Sequence, residues 1–131
     1  MREILFRGKR LDNGGWVEGY LLRPNPEVCR AYERDECVIG YQERAEGAYI
    51  LFEVDPDTVG QYTGLPDKNG ERIFEWDIVR YRDESVGAVV FADGAFGVAF
   101  GDDTSDMFLC FAAELCEVIG NIHDNPELLE G

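Results

Sequence analysis

Residues 59–79, VGQYTGLPDKNGERIFEWDIV, predict an extended segment, a tight turn and a second extended segment. Asn69 and Gly70 stand at the turn, and this dipeptide is a strong hairpin signal because a type I′ turn needs a positive φ at both central residues. Ile73 and Phe74 supply the β-branched and aromatic content of the strand that follows. We therefore expect the rest of the chain to be organised around a β-hairpin here.

The length of the chain, 131 residues, corresponds to one domain or to two small, closely packed parts. The formal net charge is −15, and such a field repels both phosphate backbones and anionic lipid. We therefore expect no membrane association and no direct binding to nucleic acid. The ordinary interpretation of the charge is solubility. The sharper one is an acidic surface that binds a basic partner or imitates DNA.

The cysteines do not form a recognisable metal-binding pattern. They are Cys29, Cys37, Cys110 and Cys116, without a Cys-x-x-Cys pair and with a single histidine in the chain. Zinc sites usually join two ligands over a short spacing, so we expect no metal and no cofactor. No signal peptide and no apolar run of about 18 residues is found, which predicts a cytoplasmic protein with reduced thiols.

Short strands about ten residues apart predict a mainly β fold, either a barrel or a sandwich. Two further hairpin signals support it, Asn13-Gly14 and Asp93-Gly94. Residues 77–100 look like the first strands of a small SH3-like barrel.

We expect residues 1–131 to form a single domain with two packed β portions. The N-terminal portion comprises residues 1–72, and the SH3-like portion comprises residues 73–131. Residues 125–129 predict a short terminal helix, with Asn125 as its cap.

One segment, residues 107–115, admits two interpretations. A strand followed by one helical turn fits it, and a helix fits it equally well. In the second case one helix face would contain the large apolar residues Phe108, Leu109, Phe111, Ala112 and Leu115.

Carboxylates and the single histidine are the candidates for chemistry. Asp102, Asp103 and Asp106 could gather around a hard cation, although a solvated loop is the commoner outcome. His123 lies beside Asp124 and could act as a general base. No nucleophile motif or phosphate-binding glycine loop accompanies it, so we assign no catalytic residue.

A resemblance of residues 67–70 to an EF-hand loop does not survive alignment. With Gly70 at the sixth position of the loop, Leu65 and Trp76 fall where carboxylates are required. The segment is therefore interpreted as a turn.

Large aromatic side chains are the candidates for an interaction surface. On β-sheets such residues are mostly core or cross-strand pairs, but exposed ones mark an oligomer or ligand surface. Trp76 is the strongest candidate, because it stands between two acidic residues that favour exposure. The proposed surface comprises Trp16, Tyr62, Phe74 and Trp76.

Three motifs in order along the chain resemble the YopX family of phage and prophage proteins. They are residues 1–7 (MREILFR), residues 63–70 with 73–79 (TGLPDKNG and IFEWDIV), and residues 117–129 (EVIGNIHDNPELL). The resemblance implies a largely β fold, homo-oligomers and a bacterial host cell, but no assigned activity and no catalytic residues. The family usually has glycine where this chain has Trp76, so a turn that depended on that glycine would have to differ here.

These observations predict a non-enzymatic, phage- or prophage-derived accessory protein that acts by protein binding or homo-oligomerisation. Two alternatives belong to other classes. One is a small carboxylate-based hydrolase or nucleotide-modifying enzyme, which would need a concave site with converging acids. The other is a nucleic-acid-directed module or an acidic DNA mimic. The net charge opposes the first of these, because it disfavours direct binding to nucleic acid.

Overall fold

The structure is a computed structural model that describes residues 4–22, 27, 38–43, 49–100 and 107–130. The chain divides into two compact units, Met1–Gln61 and Tyr62–Gly131. Antiparallel strands dominate both units, so the prediction of a mainly β protein is confirmed. Several predictions fall outside the described residues, including those for Cys29, Cys37 and residues 102–106.

The first unit is an antiparallel sheet in which consecutive strands are neighbours. Its strands are β1 (Phe6–Lys9), β2 (Trp16–Leu22), β3 (Val38–Glu43) and β4 (Tyr49–Val54). They lie in the order β4-β3-β2-β1, and the start of β5 (Gly60–Pro66) pairs on the other side of β1, with Gln61 opposite Phe6. The Asn13-Gly14 signal is confirmed, because β1 and β2 form the predicted hairpin.

A single 3₁₀ turn, Pro56–Thr58, connects β4 to β5. Thr58 is buried, and its hydroxyl donates to the Asp55 carbonyl at 2.7 Å and accepts from the Lys9 backbone N–H at 2.9 Å. The Asp55 carboxylate accepts from the Asp57 N–H at 3.0 Å and so caps the turn. The polar groups of this connection are thereby satisfied within the first unit.

The second unit contains a five-stranded antiparallel sheet and a two-stranded ribbon. Its strands are the end of β5, β6 (Arg72–Phe74), β7 (Asp77–Tyr81), β8 (Ser85–Ala92), β9 (Ala95–Ala99), β10 (Met107–Phe108) and β11 (Cys116–Asn121). The sheet order is β10-β9-β8-β7-β11, and β6 pairs with β5. A short helix, α1 (Leu109–Ala112), and a 3₁₀ turn, Ala113–Leu115, lie between β10 and β11.

The SH3-like barrel predicted for residues 73–131 is not confirmed. Among the described residues β10 and β11 are the two edges of the sheet, and no pairing between them closes it. Residues 107–115 combine elements of both interpretations, since a two-residue strand is followed by one turn of α-helix and one of 3₁₀-helix.

The core of the second unit lies under this sheet and α1. Alternation along the strands places every second side chain on the inner face, and α1 contributes residues from one side. The buried residues that pack together in this core are Ile73, Val79, Val89, Val98, Leu109, Ala112, Ala113 and Cys116.

The hairpin predicted at Asn69-Gly70 is present, but its turn is not type I′. Only Gly70 of the pair has a positive φ, 84°. The Gly70 N–H donates to the Asp67 carbonyl at 3.1 Å, a four-residue turn with glycine last, as a type I turn favours. A two-residue turn with positive φ at both positions occurs instead at Asp93-Gly94, between β8 and β9, where the sequence also predicted one.

The Asp67 carboxylate determines the local geometry of the first hairpin. Asp67 is 5% exposed, and its Oδ1 accepts from the backbone N–H groups of Asn69 at 2.8 Å and Glu71 at 2.9 Å. Its Oδ2 accepts from the Val118 N–H at 2.9 Å, and the Lys68 N–H donates to the Cys116 carbonyl at 2.9 Å. The hairpin is thus bonded to β11, and the boundary expected after residue 72 falls inside the second unit.

The C-terminal segment forms a 3₁₀ turn, Pro126–Leu129, without the predicted side-chain cap. Asn125 stands at the cap position, but its Oδ1 accepts from the Asn121 N–H at 3.3 Å. The side chain therefore bonds back towards β11, and proline at the first position removes one donor that a cap would otherwise satisfy.

Replacing Asp67 should destabilise the second unit strongly. Asp67→Ala leaves three backbone N–H groups without their acceptor and should lower the free energy of unfolding by about 2 to 4 kcal/mol. Asp67→Asn keeps one oxygen but turns an NH₂ group towards one of the donors, so about half that loss is expected. Urea denaturation monitored by tryptophan fluorescence measures both.

Asp93→Asn is the matched control for these variants. Asp93 is exposed in a turn with φ 53°, a conformation that asparagine tolerates, so this change should leave stability within about 0.5 kcal/mol. Equal effects of Asp67→Asn and Asp93→Asn would contradict the structural role of the Asp67 carboxylate.

Candidate functional site

Trp16, the first residue of the predicted surface, lies in the first unit and serves as a platform for cations. The Arg7 guanidinium carbon lies 4.8 Å from the ring centroid and the Lys9 Nζ lies 5.8 Å from it. Both distances are within the range of cation–π attraction. The indole is half-buried, so much of its area is already used within its own unit.

Tyr62 and Phe74 form a cross-strand pair in the second unit. They are directly opposite in the β5–β6 ribbon, and their ring centroids are 5.5 Å apart. Phe74 is 3% exposed, so its ring is part of the interior and is no longer a candidate for an exposed surface. Tyr62 is half-buried, with the Arg72 guanidinium carbon 5.7 Å from its ring centroid.

Trp76 itself adopts the left-handed conformation that glycine favours, with φ 75°. Its N–H donates to the Val89 carbonyl at 2.8 Å, and its carbonyl accepts from the Ile122 N–H at 3.0 Å. The backbone angle that glycine favours is therefore present at a tryptophan. These two hydrogen bonds hold the backbone in a conformation that costs a side-chain-bearing residue about 1 to 2 kcal/mol.

The acidic residue after Trp76 faces inwards, contrary to the argument from flanking charge. Asp77 is buried, and its Oδ2 accepts from the Phe74 N–H at 2.7 Å. This bond closes the turn between β6 and β7. Trp76 is half-buried, and Phe74 is the one member of the predicted four-residue surface that is buried.

The polar candidates occupy turns. The His123 backbone N–H donates to Asn121 Oδ1 at 3.0 Å, and the same oxygen accepts from the Asp124 N–H at 2.9 Å, the pattern of an Asx turn. The parts of the chain that the structure describes contain no group of three or more His, Cys, Asp or Glu residues that could hold a metal ion.

A cavity in the first unit is too small for a metabolite. It encloses about 10 Å³ beside β1 and β2, with Val17, Val54 and Val59 in its wall. That volume is about the space of one water molecule.

Three exposed apolar side chains of the second unit lie in α1 or next to it in the sequence. Phe111 is 77% exposed, Phe108 is 55% exposed and Leu115 is 40% exposed. The two phenyl rings meet edge to face with their centroids 6.4 Å apart. We call these three side chains the aromatic surface.

The aromatic surface arises because two sets of apolar residues interleave in this segment. Leu109, Ala112 and Cys116 are fully buried and attach α1 to the core. Phe108 and Phe111 each stand directly before one of the buried residues and are exposed. Of the two interpretations of residues 107–115, the helix placed Phe108 and Leu109 on one face, although the excess of apolar residues over what one face can bury was a visible signal.

The aromatic surface belongs to a part of the chain without cationic side chains. Residues 83–131 contain no Lys or Arg, and every Lys and Arg of the chain lies at or before Arg82. Their carboxylates are Asp83, Glu84, Asp93, Asp102, Asp103, Asp106, Glu114, Glu117, Asp124, Glu127 and Glu130. This segregation is readable from the sequence alone and passes unnoticed when only the total charge is considered.

Cys110 and Cys116 differ in accessibility. Cys110 is exposed beside the aromatic surface, whereas Cys116 is buried. Burial raises the pKa of the Cys116 thiol, and the negative charge of Asp67 raises it further. Cys116 therefore acts as a small apolar core residue and not as a nucleophile.

Fold and surface together define a mainly β protein with an exposed aromatic surface beside a helical turn. The chain belongs to the YopX family, because the model of that family, described as YopX protein, matches residues 5–130. This confirms the resemblance seen in the three motifs.

A solved structure is similar over almost the whole chain. It is the crystal structure of protein EF1440 from Enterococcus faecalis, with 28% identity and a TM-score of 0.59, covering 99% of this chain and 100% of that one. A search of curated proteins finds no match. In the described residues no helix is both long and apolar enough to cross a membrane.

Trp76→Gly should be more stable than Trp76→Ala by about 1 kcal/mol. Both variants lose the indole, but only glycine relieves the left-handed backbone. Thermal unfolding of the two variants measures the difference. At Phe91, an exposed strand position, the order should reverse, because glycine weakens a strand relative to alanine. If the two Trp76 variants are equally stable, the backbone at residue 76 is not strained and the prediction is wrong.

Iodoacetamide should modify Cys110 in the native protein and Cys116 only after unfolding. The raised pKa of Cys116 also determines how its contribution to stability depends on pH. As the pH rises, the thiol of the unfolded chain ionises first, near its ordinary pKa of 9.0. Its contribution to stability is therefore complete below that pH and falls as the pH rises above it. Peptide mapping after labelling, with a sample denatured in guanidinium as control, measures both thiols. Native labelling of Cys116 at the rate of Cys110 would contradict its burial.

Proposed function

We propose that the chain is a phage- or prophage-derived accessory protein of the bacterial host cytoplasm that acts without catalysis, by binding another protein through the aromatic surface. The observation that carries the proposal is the exposure of Phe111 and Phe108 on a structured turn. Burying such a side chain is worth about 1.5 to 3 kcal/mol, so the free protein leaves this free energy available for a partner. Membership of the YopX family supports the phage or prophage origin.

Aromatic side chains in a cluster are typical of the centres of protein interfaces. Phenylalanine and tyrosine are enriched there, and a few such residues supply most of the binding free energy. The aromatic surface has this composition, and Leu109 and Ala112 hold it on the core through the same helical turn. A preformed surface loses little conformational freedom on binding.

The described acids support a role without catalysis, because the buried ones have structural partners. Asp67 accepts three backbone N–H groups and Asp77 accepts one. A carboxylate committed in this way maintains a turn and is not oriented towards a substrate.

Binding of a different protein is favoured over homo-oligomerisation by the net charge of −15. Two copies that approach through this surface bring like charges together, which opposes association. Homo-oligomerisation is the rival form of the same proposal, and measurement of the molar mass separates the two.

We also propose that residues 73–131 are related to SH3-like barrels. The support is a meander of antiparallel strands in which the last strand returns beside the first, with a helical turn just before it. Small barrels present binding surfaces in many unrelated proteins, so the proposal agrees with a binding role without requiring one.

The proposed function is tested with the double variant Phe108→Ser, Phe111→Ser. Both residues are exposed, so the variant should keep its stability within about 1 kcal/mol while losing partners. Affinity capture from the bacterial host with quantitative mass spectrometry should give proteins depleted at least about tenfold with the variant. Phe91→Ser, which removes a 54% exposed phenyl ring elsewhere in the second unit, is the control.

Light scattering over a range of concentrations completes the test. A constant monomeric mass for the parent protein supports binding of a different protein. If the parent protein is a dimer and the double variant is a monomer, the surface serves homo-oligomerisation and not binding of a different protein. An unchanged set of captured proteins and an unchanged mass in the variant would refute the aromatic surface as a binding site.

A further inference from the structure

We infer that Asn13 is a site of spontaneous deamidation in the folded protein, whereas the Asp67 carboxylate protects Asn69 from the same reaction. Of the asparagines in the chain, these two are followed by glycine. The inference concerns modification of the chain by water, and it does not depend on the proposed binding surface.

Deamidation begins when the backbone nitrogen of the following residue attacks the side-chain Cγ of asparagine. At Asn13 a bond forms between this Cγ and the Gly14 nitrogen, whose proton passes to solvent. The Cγ–Nδ2 bond then breaks, and the departing nitrogen takes up a proton and leaves as ammonia. Water opens the resulting succinimide ring at either carbonyl and gives aspartate or isoaspartate. A following glycine favours the attack, because it has no side chain to obstruct ring closure.

The two sites are matched in the properties that most often decide where deamidation occurs. Asn13, Gly14, Asn69 and Gly70 are all exposed, so water reaches both sites. Each glycine N–H donates to a backbone carbonyl, at 3.0 Å for Gly14 and 3.1 Å for Gly70. A difference between the sites must therefore arise from the asparagine side chains and their surroundings.

The Asn13 side chain is folded over the backbone that attacks it. Its Oδ1 accepts from the Gly15 N–H at 2.8 Å, and the ring of this Asx turn encloses Gly14. The Gly14 nitrogen and the Asn13 Cγ both belong to that ring, so the turn keeps the two reacting atoms near each other. Such an arrangement lowers the entropic part of the barrier.

The Gly15 N–H also stabilises the charge that develops during the reaction. Attack on Cγ moves negative charge onto Asn13 Oδ1, which already accepts from this donor. A donor that is oriented before the reaction stabilises an oxyanion most effectively. The neighbouring Asp12 carboxylate opposes this charge only weakly, because the Arg10 guanidinium binds it through Nε at 2.9 Å and Nη2 at 2.6 Å.

At Asn69 the corresponding donor is occupied by the Asp67 carboxylate. The N–H two residues after Asn69 belongs to Glu71, and it donates to Asp67 Oδ1 at 2.9 Å. The Asn69 carboxamide is directed to the final strand instead, with its Nδ2 3.5 Å from Glu117 Oε2. The side chain is therefore not held over the Gly70 nitrogen by an Asx turn of its own.

Negative charge around Asn69 raises the barrier further. Asp67 accepts from the N–H groups of the residues on both sides of Gly70, and the Glu117 carboxylate lies beside the carboxamide. These charges disfavour both the loss of the Gly70 amide proton and the charge on Asn69 Oδ1. Asp67 also accepts from the Val118 N–H at 2.9 Å, so the turn rearranges only when this part of the second unit opens.

Deamidation at Asn13 alters the hairpin between β1 and β2. The succinimide has no Gly14 N–H, so the hydrogen bond from this group to the Arg10 carbonyl is lost. Aspartate at this position adds a carboxylate beside Asp12, and isoaspartate lengthens the backbone within the turn. The modification therefore weakens a connection of the first unit.

Peptide mapping of the full chain by mass spectrometry measures both reactions. The protein is incubated at mildly alkaline pH, and the rate at each site is divided by the rate at the same site in guanidinium, so that effects of the local sequence cancel. Native Asn13 should react at least as fast as in the denatured chain. Native Asn69 should react about tenfold more slowly than in the denatured chain, or slower still.

Asp67→Asn tests the protection of Asn69. This variant removes the charge and weakens the acceptor of the Glu71 N–H, so the native rate at Asn69 should rise about fivefold or more, while the rate at Asn13 stays within about twofold. Val79→Ala is the matched control, because it destabilises the core of the same unit and leaves the Asp67 carboxylate in place.

Each other result overturns a stated part of the inference. If native Asn13 reacts more slowly than in guanidinium, the Asx turn protects it and the site is refuted. If native Asn69 reacts as fast as in guanidinium, the fold gives it no protection. If Asp67→Asn leaves Asn69 slow, or if Val79→Ala accelerates it equally, the carboxylate is not the protecting group. None of these results bears on the aromatic surface, so the proposed function is tested separately.

Discussion

The second unit depends on one buried carboxylate. Asp67 accepts three backbone N–H groups, and one of them, from Val118, is 51 residues away along the chain. Removing a carboxylate from water is costly, and only full hydrogen bonding offsets that cost. The Asp67 carboxylate therefore has two structural roles. It closes the hairpin turn, and it attaches that turn to the final strand. Burial raises the pKa of the neighbouring Cys116 thiol, and the negative charge of Asp67 raises it further.

Trp76 shows how this framework tolerates local strain. Its left-handed backbone is fixed on both sides, by the carbonyl of Val89 and the N–H of Ile122. Two hydrogen bonds to separate parts of the chain are enough to hold a conformation that costs about 1 to 2 kcal/mol. The turn between β6 and β7 is therefore held by its neighbours, and tryptophan occupies a left-handed position that glycine would adopt at lower cost.

Local signals predicted most of the fold, because hairpins and alternating strands are encoded over a few residues. Asp93-Gly94 gives the two-residue turn that its sequence predicts, since nothing distant competes with it. At Asn69-Gly70 the prediction of a turn is confirmed but its type is wrong, because a side chain outside the dipeptide, Asp67, selects another conformation. The family was also recognisable from short motifs.

The site was harder to predict, since exposure depends on which neighbours compete for the core. Phe74 was a surface candidate but fills the interior, whereas Phe111, which was not among the surface candidates, is exposed. Both outcomes have one origin. Aromatic residues in a strand or helical turn fit either face, and only the packing of Leu109, Ala112 and Cys116 determines which set remains outside.

The exposed aromatic surface and the segregated charge are best understood together. An apolar patch alone would promote non-specific association, which neighbouring charges suppress. Interspersed charges of both signs would serve solubility equally well, yet residues 83–131 contain carboxylates and no Lys or Arg. Cations from earlier in the chain lie against this segment in the structure, because the Arg82 N–H donates to the Leu115 carbonyl at 3.0 Å and the Arg80 guanidinium lies 3.5 Å from the Glu117 carboxylate. Exposing Phe108 and Phe111 costs hydrophobic free energy that is recovered only when another surface covers the two rings.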